Sequence, residues 1–550
     1  MTALRLLPLL ALLGVAPAAA QGFEIEFDRV PSVGQPLGIA VTIEGAEPVD
    51  GRLYFRPTGA PTYDSLVPTR TGDTFRAEIP AEALTLRGLE VYGEYVRDGE
   101  THTYPPENPA IQPIPISLFI GSAVSEVVLP PRAYRMISVP ADLGETSAVR
   151  ALSDDFGALG PNNWRLVRWD PAAARYVDAP EGPDSFAGGT AFWLITSRGG
   201  SFDITGAETT PAGPQPVTLE PGCNQIGNPF AFPVAWSDVS GSEVEGVEPP
   251  AAFDGEGDYL FDRAVLEPWV GYFVCNGSGE TVTLLVPPRE ASDVRPVAES
   301  PASFEVRLSA RSETVRGTSA VIGFAEGARA GRDAFDRTAL PAIGEGVSVR
   351  VAEAGEVLAR SLKPEGAEGQ TWDIEVSASE GVLRGGARRV SVALDEEGER
   401  PPGFGLYVID RSLGTALPLV GGAVEVTLRP AEPVRALRLI VGTEAYARGA
   451  SEGAPLEPSP FGLDGAYPNP FSEATSLRYR LAARGPATLE VFDLLGRRVR
   501  VLAEGVQSAG VHEVRWDGLD ADGRRVASGV YLVRLRTDAA TATRRVSLLR

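Results

Sequence analysis

The sequence predicts an all-β chain of tandem immunoglobulin-like and β-sandwich domains. Short runs alternate apolar and polar residues with a period of two, the mark of half-buried strands. Between them 61 Gly and 47 Pro act as turn punctuation, and no apolar pattern of helical period runs far. With 550 residues, 43% of them hydrophobic and 22% charged, the chain is globular and long enough for about four cores.

Residues 1–20 read as a secretory signal peptide. Arg5 precedes an apolar run from Leu6 to Val15, and Ala18-Ala19-Ala20 supplies the small residues of a cleavage site before Gln21. No Cys follows, so no lipid-modified N-terminus is expected. No later stretch reaches the roughly 18 apolar residues that a membrane-crossing helix needs, so no transmembrane segment is expected either.

Residues 22–120 form the first predicted sandwich. Ile39, Val41 and Ile43 alternate, as do Leu53 and Phe55, then Phe75 and Ile79, then Leu89, Val91, Gly93 and Tyr95. The phrases Gly72-Asp73-Thr74-Phe75-Arg76-Ala77-Glu78-Ile79-Pro80 and Arg87-Gly88-Leu89-Glu90-Val91-Tyr92 resemble a domain often found at the front of exported bacterial surface proteins. His102, before a proline-rich exit and with no second His or Cys nearby, reads as a surface residue and not a metal ligand.

Residues 125–298 hold an internal repeat. Tyr134-Arg135-Met136-Ile137-Ser138-Val139-Pro140 parallels Cys223-Asn224-Gln225-Ile226-Gly227-Asn228-Pro229, and Phe192-Trp193-Leu194-Ile195 parallels Tyr272-Phe273-Val274-Cys275. Two such β-units, each unable to bury its face alone, should pack as one double domain. The repeat places Cys223 and Cys275, the two cysteines of the chain, on the opening and closing strands of its second half, where the first half has Tyr134 and Ile195. An oxidising periplasm should join them, for roughly 4 kcal/mol in the chain-entropy model, with two buried free thiols as the alternative. Trp164, Trp169, Trp193, Trp236 and Trp269 concentrate here. Core packing is the ordinary use of such residues, but Trp164 and Trp169, beside Asn162, Asn163, Arg165 and Arg168, are the candidates for exposed ligand contacts, stacking on sugar rings. Asp254, Glu256 and Asp258, between Gly255 and Gly257, read as a solvated loop before a Ca²⁺ site.

Residues 301–445 predict another sandwich, from Phe304, Val306 and Leu308, then Trp372, Ile374 and Val376, then Leu406-Tyr407-Val408-Ile409-Asp410 and Leu437, Leu439 and Val441. Residues 446–464, rich in Gly, Ala, Pro and Ser, read as a linker. Residues 465–550 predict a small antiparallel sandwich, with Leu477, Tyr479 and Leu481 alternating, then Val511, Val514 and Trp516, then Val530, Leu532 and Leu535. Gly496, Gly518, Gly523 and Gly529 mark its turns, and Asp517, Asp520 and Asp522 read as a polar hairpin because no later Glu completes a Ca²⁺ loop.

The order of motifs in this last segment is specific. Tyr467-Pro468-Asn469-Pro470-Phe471, Val491-Phe492-Asp493-Leu494-Leu495-Gly496-Arg497-Arg498-Val499, Trp516-Asp517-Gly518 and Gly529-Val530-Tyr531-Leu532-Val533-Arg534-Leu535 follow one another to a basic last strand ending at Arg550. The segment resembles the type A C-terminal sorting domain of type IX secretion cargo, itself similar to the immunoglobulin-like domain of the flagellar hook-capping protein. The resemblance implies that residues 465–550 engage the type IX translocon and a sorting peptidase, with cleavage in the preceding linker. It further implies a route through the periplasm to the cell surface or the medium. The segment at 301–445 resembles the module that commonly precedes such domains.

Charge separates the two parts of the chain. Of the net −23, the segment from Gly465 onward carries 14 Arg against 9 acidic residues, a net of +5, which leaves −28 on the rest. An acidic body argues against nucleic acid as a partner. No phosphate loop, dinucleotide fingerprint or metal motif is present, so no cofactor and no metal site are expected. Serine or cysteine hydrolysis normally needs a histidine base, and the two histidines, His102 and His512, lie in different predicted domains. A carboxylate-based glycoside hydrolase remains the catalytic alternative, with Asp170 and Asp262 at matching positions of the repeat as its candidate pair, although both read as turn residues. The sequence thus predicts a non-enzymatic exported protein serving adhesion or envelope structure, its surface ligand a glycan or another envelope protein. A carbohydrate-binding surface protein is the alternative.

Overall fold

The computed structural model describes residues 23–549 apart from 44–49, 107, 122–126, 145–146, 180–185, 187, 293–301, 314, 455, 457–460, 482–484, 508–509 and 538–539. The signal peptide expected at 1–20 and the terminal Arg550 lie outside the described residues. The chain is all-β, and its contacts divide it into two compact units, Met1–Gly255 with Leu260–Val297 and Glu256–Tyr259 with Ala298–Arg550. No helix among the described residues is long and apolar enough to cross a membrane.

In the first unit, the alternating runs near the N-terminus build two facing sheets. One contains Phe23–Phe27, Leu37–Ile43, Thr74–Ile79 and Thr69–Thr71 in that order, and the other is centred on Asp50–Pro57 and Leu89–Arg97. Leu37, Ile39, Leu53, Phe55, Ile79, Leu89 and Val91 fill the space between them. Because successive strand side chains point to opposite faces, one parity makes the core and the other the surface.

The repeat appears as topology. Its first half has a four-stranded sheet ordered Arg135–Ser138, Ala191–Thr196, Trp164–Asp170, Arg175–Asp178; its second half has Gly222–Gly227, Gly271–Asn276, Ala251–Phe253, Tyr259–Leu260 in equivalent order. The halves interlock. Trp269, from the second half, packs in the core of the first against Phe202, and Ser138 Oγ donates to Val270 O at 3.0 Å. The backbones approach too closely for side chains at two points. A Cβ on Gly227 would stand 2.1 Å from Ser138 Cβ, and one on Gly271 would stand 2.5 Å from Met136 Cγ.

A helix not expected from the sequence, Ala148–Phe156, lies in the first half, with Ser147 Oγ accepting from Arg150 N at 3.1 Å as its cap. It buries only Ala148 and Leu152, too few positions to show a helical period.

In the second unit, residues 302–442 make one continuous eleven-stranded sheet and not two separate sheets. It folds over a main core that includes Phe304, Ile322, Val349, Trp372, Val392 and Leu439. Lys363, the only lysine in the chain, is kept inside: Nζ lies 3.1 Å from Glu353 and 5.5 Å from the centre of the Trp372 ring. Asp410 and Arg435 form a buried ion pair at 2.8 Å; burial pushes the Asp410 carboxyl up, against the opposing pull of Arg435.

The segment expected as linker, 446–464, is structured at both ends. The helix Glu444–Ala450 is capped by Thr443, whose Oγ1 accepts from Tyr446 N at 3.2 Å, and Ala447 is buried against Ile409 and Ile440. At the other end Gly462–Tyr467 is already the first strand of the last domain, with Leu463 in its core. Small residues suggested a linker, but the same small residues let a helix pack flat on a sheet.

Candidate sorting module

The C-terminal sandwich joins two sheets. One is Gly462–Tyr467, Thr475–Leu481, Gly510–Trp516; the other is Arg498–Gln507, Gly485–Phe492, Gly529–Thr537, Thr541–Leu548. Leu477, Tyr479, Leu481, Leu489, Val491, Trp516, Val533 and Leu535 are buried between them. The predicted parity of the sixth strand needs correction. Tyr531, Val533 and Leu535 face the core, whereas Val530 is 36% exposed and Leu532 only half-buried. Leu532 pairs across the strands with Phe492 on the outer face, where an apolar residue mimics a core position in the sequence.

Strand directions bring the sequence motifs together. The connections 468–474, 493–497 and 517–528 and the end of the last strand all lie at one end of the sandwich, as the pairs Tyr467↔Ser476, Thr475↔Trp516, Phe492↔Arg498 and Gly529↔Leu548 require. At this end Phe471 is 2% exposed and meets Trp516 at 5.3 Å, and Trp516 meets the Tyr531 ring edge-on at 5.2 Å. Trp516 Nε1 donates to Leu519 O at 3.0 Å and Tyr531 OH to Ala527 O at 2.6 Å, so the aromatic plug ties down the long loop beside it. The lead-in is stitched to the last strand: Phe471 N donates to Ser547 O at 2.9 Å, Leu549 N to Phe471 O at 2.8 Å, and Ser547 N to Asn469 Oδ1 at 2.8 Å. Pro468 and Pro470 follow cis peptide bonds, and Thr475 Oγ1 donates to Pro468 O at 2.7 Å.

The aspartates of this end serve its turns. Asp493 Oδ1 accepts from the backbone N–H of Leu495 and Arg497, both at 2.9 Å, and these bonds hold its carboxyl below the usual range. Asp520 Oδ1 accepts from Asp522 N and Arg524 N, and Asp517 Oδ1 from Leu519 N and Arg500 Nη1. Gly496, Gly518 and Gly523 have φ of 77°, 68° and 75°, where glycine is favoured. Gly529 has no positive φ and open space where a Cβ would stand, so nothing in the structure explains glycine there.

What the plug leaves outside was not read from the sequence. Tyr467 is 84% exposed, Leu494 67%, Leu495 81% and Leu549 60%, all at the motif end. Two adjacent leucines at a hairpin tip look like strand core in one dimension. Only the Asp493 turn, which reverses the chain there, turns them outward.

The remaining candidates fall elsewhere. Trp164 does not contact solvent: it is 2% exposed in the core of the first half-repeat, and its Nε1 donates to Gly157 O at 2.6 Å. Arg165, next to it on the strand, takes the opposite, exposed face. Trp169 is half-buried, packs edge-on against Tyr176 at 5.0 Å, and its backbone N–H donates to Gln225 Oε1 at 2.6 Å. Cys223 and Cys275 are joined by a disulfide. Asp170 Oδ1 accepts from Ala173 N at 3.0 Å, a turn contact, and Asp262 has φ of 57°. Asp254 and Glu256 are exposed, Glu256 pairing with Arg316 at the surface, while Asp258 is part-buried and accepts from the backbone N and Oγ of Ser319. Each histidine stacks on a tyrosine directly across its strand pair, His102 on Tyr95 and His512 on Tyr479.

An aromatic group the sequence reading passed over lies on the outer sheet face of the first sandwich. Tyr54 stacks on Tyr92 at 4.4 Å, Tyr63 meets Tyr92 edge-on at 4.9 Å, and Arg56 covers the Tyr63 ring at 4.1 Å. Burial pushes the Tyr63 hydroxyl up to about 12. These rings spend their faces on one another, which suits cross-strand stabilisation.

Comparison with known proteins bears on the C-terminal sandwich. Residues 472–540 match the family model of the FlgD Ig-like domain. The basal-body rod modification protein FlgD of Salmonella typhimurium is 35% identical over 94 residues, which is 17% of this chain and 34% of that protein, and FlgD of Salmonella typhi matches equally. The chain thus spans about a third of the length of these relatives. Among solved structures, PorZ of Porphyromonas gingivalis, described as an essential bacterial surface component of the type IX secretion system, aligns over 96% of this chain and 75% of its own. The identity there is 11% and the TM-score 0.16, a value that carries no argument about this chain. What is established is an immunoglobulin-like domain of the FlgD type at residues 472–540 of an all-β chain.

Proposed function

We propose that this is a non-catalytic exported protein whose C-terminal sandwich is a type IX sorting module and whose body serves adhesion or envelope structure at the cell surface or in the medium. The observation that carries the reading is the convergence of the Tyr467–Phe471 lead-in, the 493–497 turn, Trp516–Gly518 and the start of the strand Gly529–Thr537 on one end of one sandwich. There Phe471, Trp516 and Tyr531 are buried as a plug while Tyr467, Leu494 and Leu495 are exposed beside it. A domain that only had to fold would not need apolar side chains at a hairpin tip, whereas a surface read by a receptor does. The apolar run Leu6–Val15 and the small residues before Gln21 support entry into the periplasm as the first step.

The test is to delete residues 462–550 in a host with the type IX route. The expected result is a folded body held in the periplasm, with surface protein from the intact gene lacking this segment. Delivery of the truncated chain at the normal level would sink the reading.

A further inference from the structure

We propose that the domain at 302–442 is a platform in cis for the C-terminal sandwich, gripping it away from its motif end so that the two travel as one export unit. The grip consists of contacts within the second unit. Arg389 Nη2 donates to Val506 O at 2.7 Å, and Arg478 Nη2 donates to Leu413 O at 2.8 Å, so each domain sends one guanidinium to a backbone carbonyl of the other. Leu417 lies 3.7 Å from where a Cβ on Gly510 would stand. Between these points is a polar cleft of about 220 Å³, with Arg389, Thr427 and Arg429 on the platform side and Tyr479, Gln507 and His512 on the other.

The positions are telling on both sides. On the platform, Leu413 and Leu417 flank the terminal strand Thr415–Ala416, Thr427 lies on the other terminal strand, Ala423–Leu428, and Arg389 pairs with Thr427 from the neighbouring strand Arg388–Gly398. On the sandwich, Val506 and Gly510 lie at the end opposite the motif connections, since Gly510 pairs with Leu481 while Trp516 pairs with Thr475. The helix Glu444–Ala450, fixed to the platform by Ala447, shortens the free tether and raises the effective concentration of the sandwich at its dock. Docking therefore leaves Tyr467, Leu494 and Leu495 outward. That last point takes its functional meaning from the export reading; the grip itself does not depend on it.

The experiment places a specific protease site within 457–460 of the full chain, cuts it, and asks by gel filtration whether the C-terminal sandwich stays with the body. We expect retention in the otherwise wild-type chain. R389A with R478A should weaken it about a hundredfold, the loss of two charged-donor hydrogen bonds. Arg478 is exposed and Arg389 is half-buried beside Glu425, so the melting profile of each variant is recorded to show that it folds. Release of the wild-type fragment as readily as that of the variants would overturn the proposal. Surface delivery is scored separately: impaired delivery of the uncut R389A/R478A chain supports a single export unit, and normal delivery refutes that part. If the wild-type chain is not exported by this route at all, the export reading fails and the retention result still decides the grip.

Discussion

Cys223 and Cys275 face each other directly in antiparallel register, with their Cα atoms 3.9 Å apart and a disulfide between them. The bond staples the opening and closing strands of the second half-repeat across 52 positions of sequence. In the first half the equivalent residues, Tyr134 and Ile195, have no such bond, so the second half carries a constraint that its twin lacks.

Replacing both cysteines with serine should lower stability by up to about 4 kcal/mol, the chain-entropy value for a loop of this size. Urea denaturation of the oxidised protein, the reduced protein and the double variant measures it. The reduced and double-serine proteins should agree, and all three coinciding would remove the bond from the account of stability.

Trp164→Ala should cost about 3–5 kcal/mol, because it empties a fully buried aromatic site and orphans Gly157 O. If Trp164 were instead a ligand contact, the variant would melt like the wild type and lose only glycan binding. Thermal unfolding and glycan-array binding of the same sample separate the outcomes.

Glu490 offers a pH test. Its burial opposes ionisation, but Arg534 at 2.9 Å and Arg498 at 3.3 Å outweigh that and hold its carboxyl below the ordinary glutamate value. A depressed folded-state value means stability that is fully present above the unfolded value and lost as pH falls through the folded one. Scanning calorimetry between neutral pH and the acid side of the glutamate range should show the C-terminal sandwich weakening. Glu490→Gln should cost about 1–2 kcal/mol at neutral pH and flatten that dependence.

Leu494→Asp with Leu495→Asp should leave the fold intact, since both side chains are exposed, and should abolish delivery to the surface. Circular dichroism and surface labelling of intact cells read the two properties. An unfolded variant, or one delivered normally, would refute the assignment of the hairpin tip as a receptor contact.

Asp170→Asn with Asp262→Asn should leave binding and any associated activity unchanged, because Asp170 is engaged in a turn and Asp262 sits at a left-handed backbone position. Hydrolysis of a polysaccharide by the purified body, lost in this double variant, would make the protein a glycosidase.

Period and punctuation were enough to determine the all-β class, because the two faces of a strand see different solvents and the alternation records it. The repeat likewise placed Cys223 opposite Cys275 through simple correspondence of strands. Local pattern did not determine facing. Trp164 and Trp169 share a strand and polar neighbours, yet one is sealed in the core and the other half-covered by Tyr176. Leu532 and Val533 differ by one residue, and register alone sends one outward and one inward. The fate of 446–464 also depended on a partner, the sheet surface around Ile409 and Ile440 that accepts Ala447. The convergence of the motifs at one end, and the arginine contacts at the other, arise only when strands far apart in sequence pair. Composition and periodicity are properties of single segments, whereas a site or an interface is a property of pairs, and only tertiary structure decides which pairs meet.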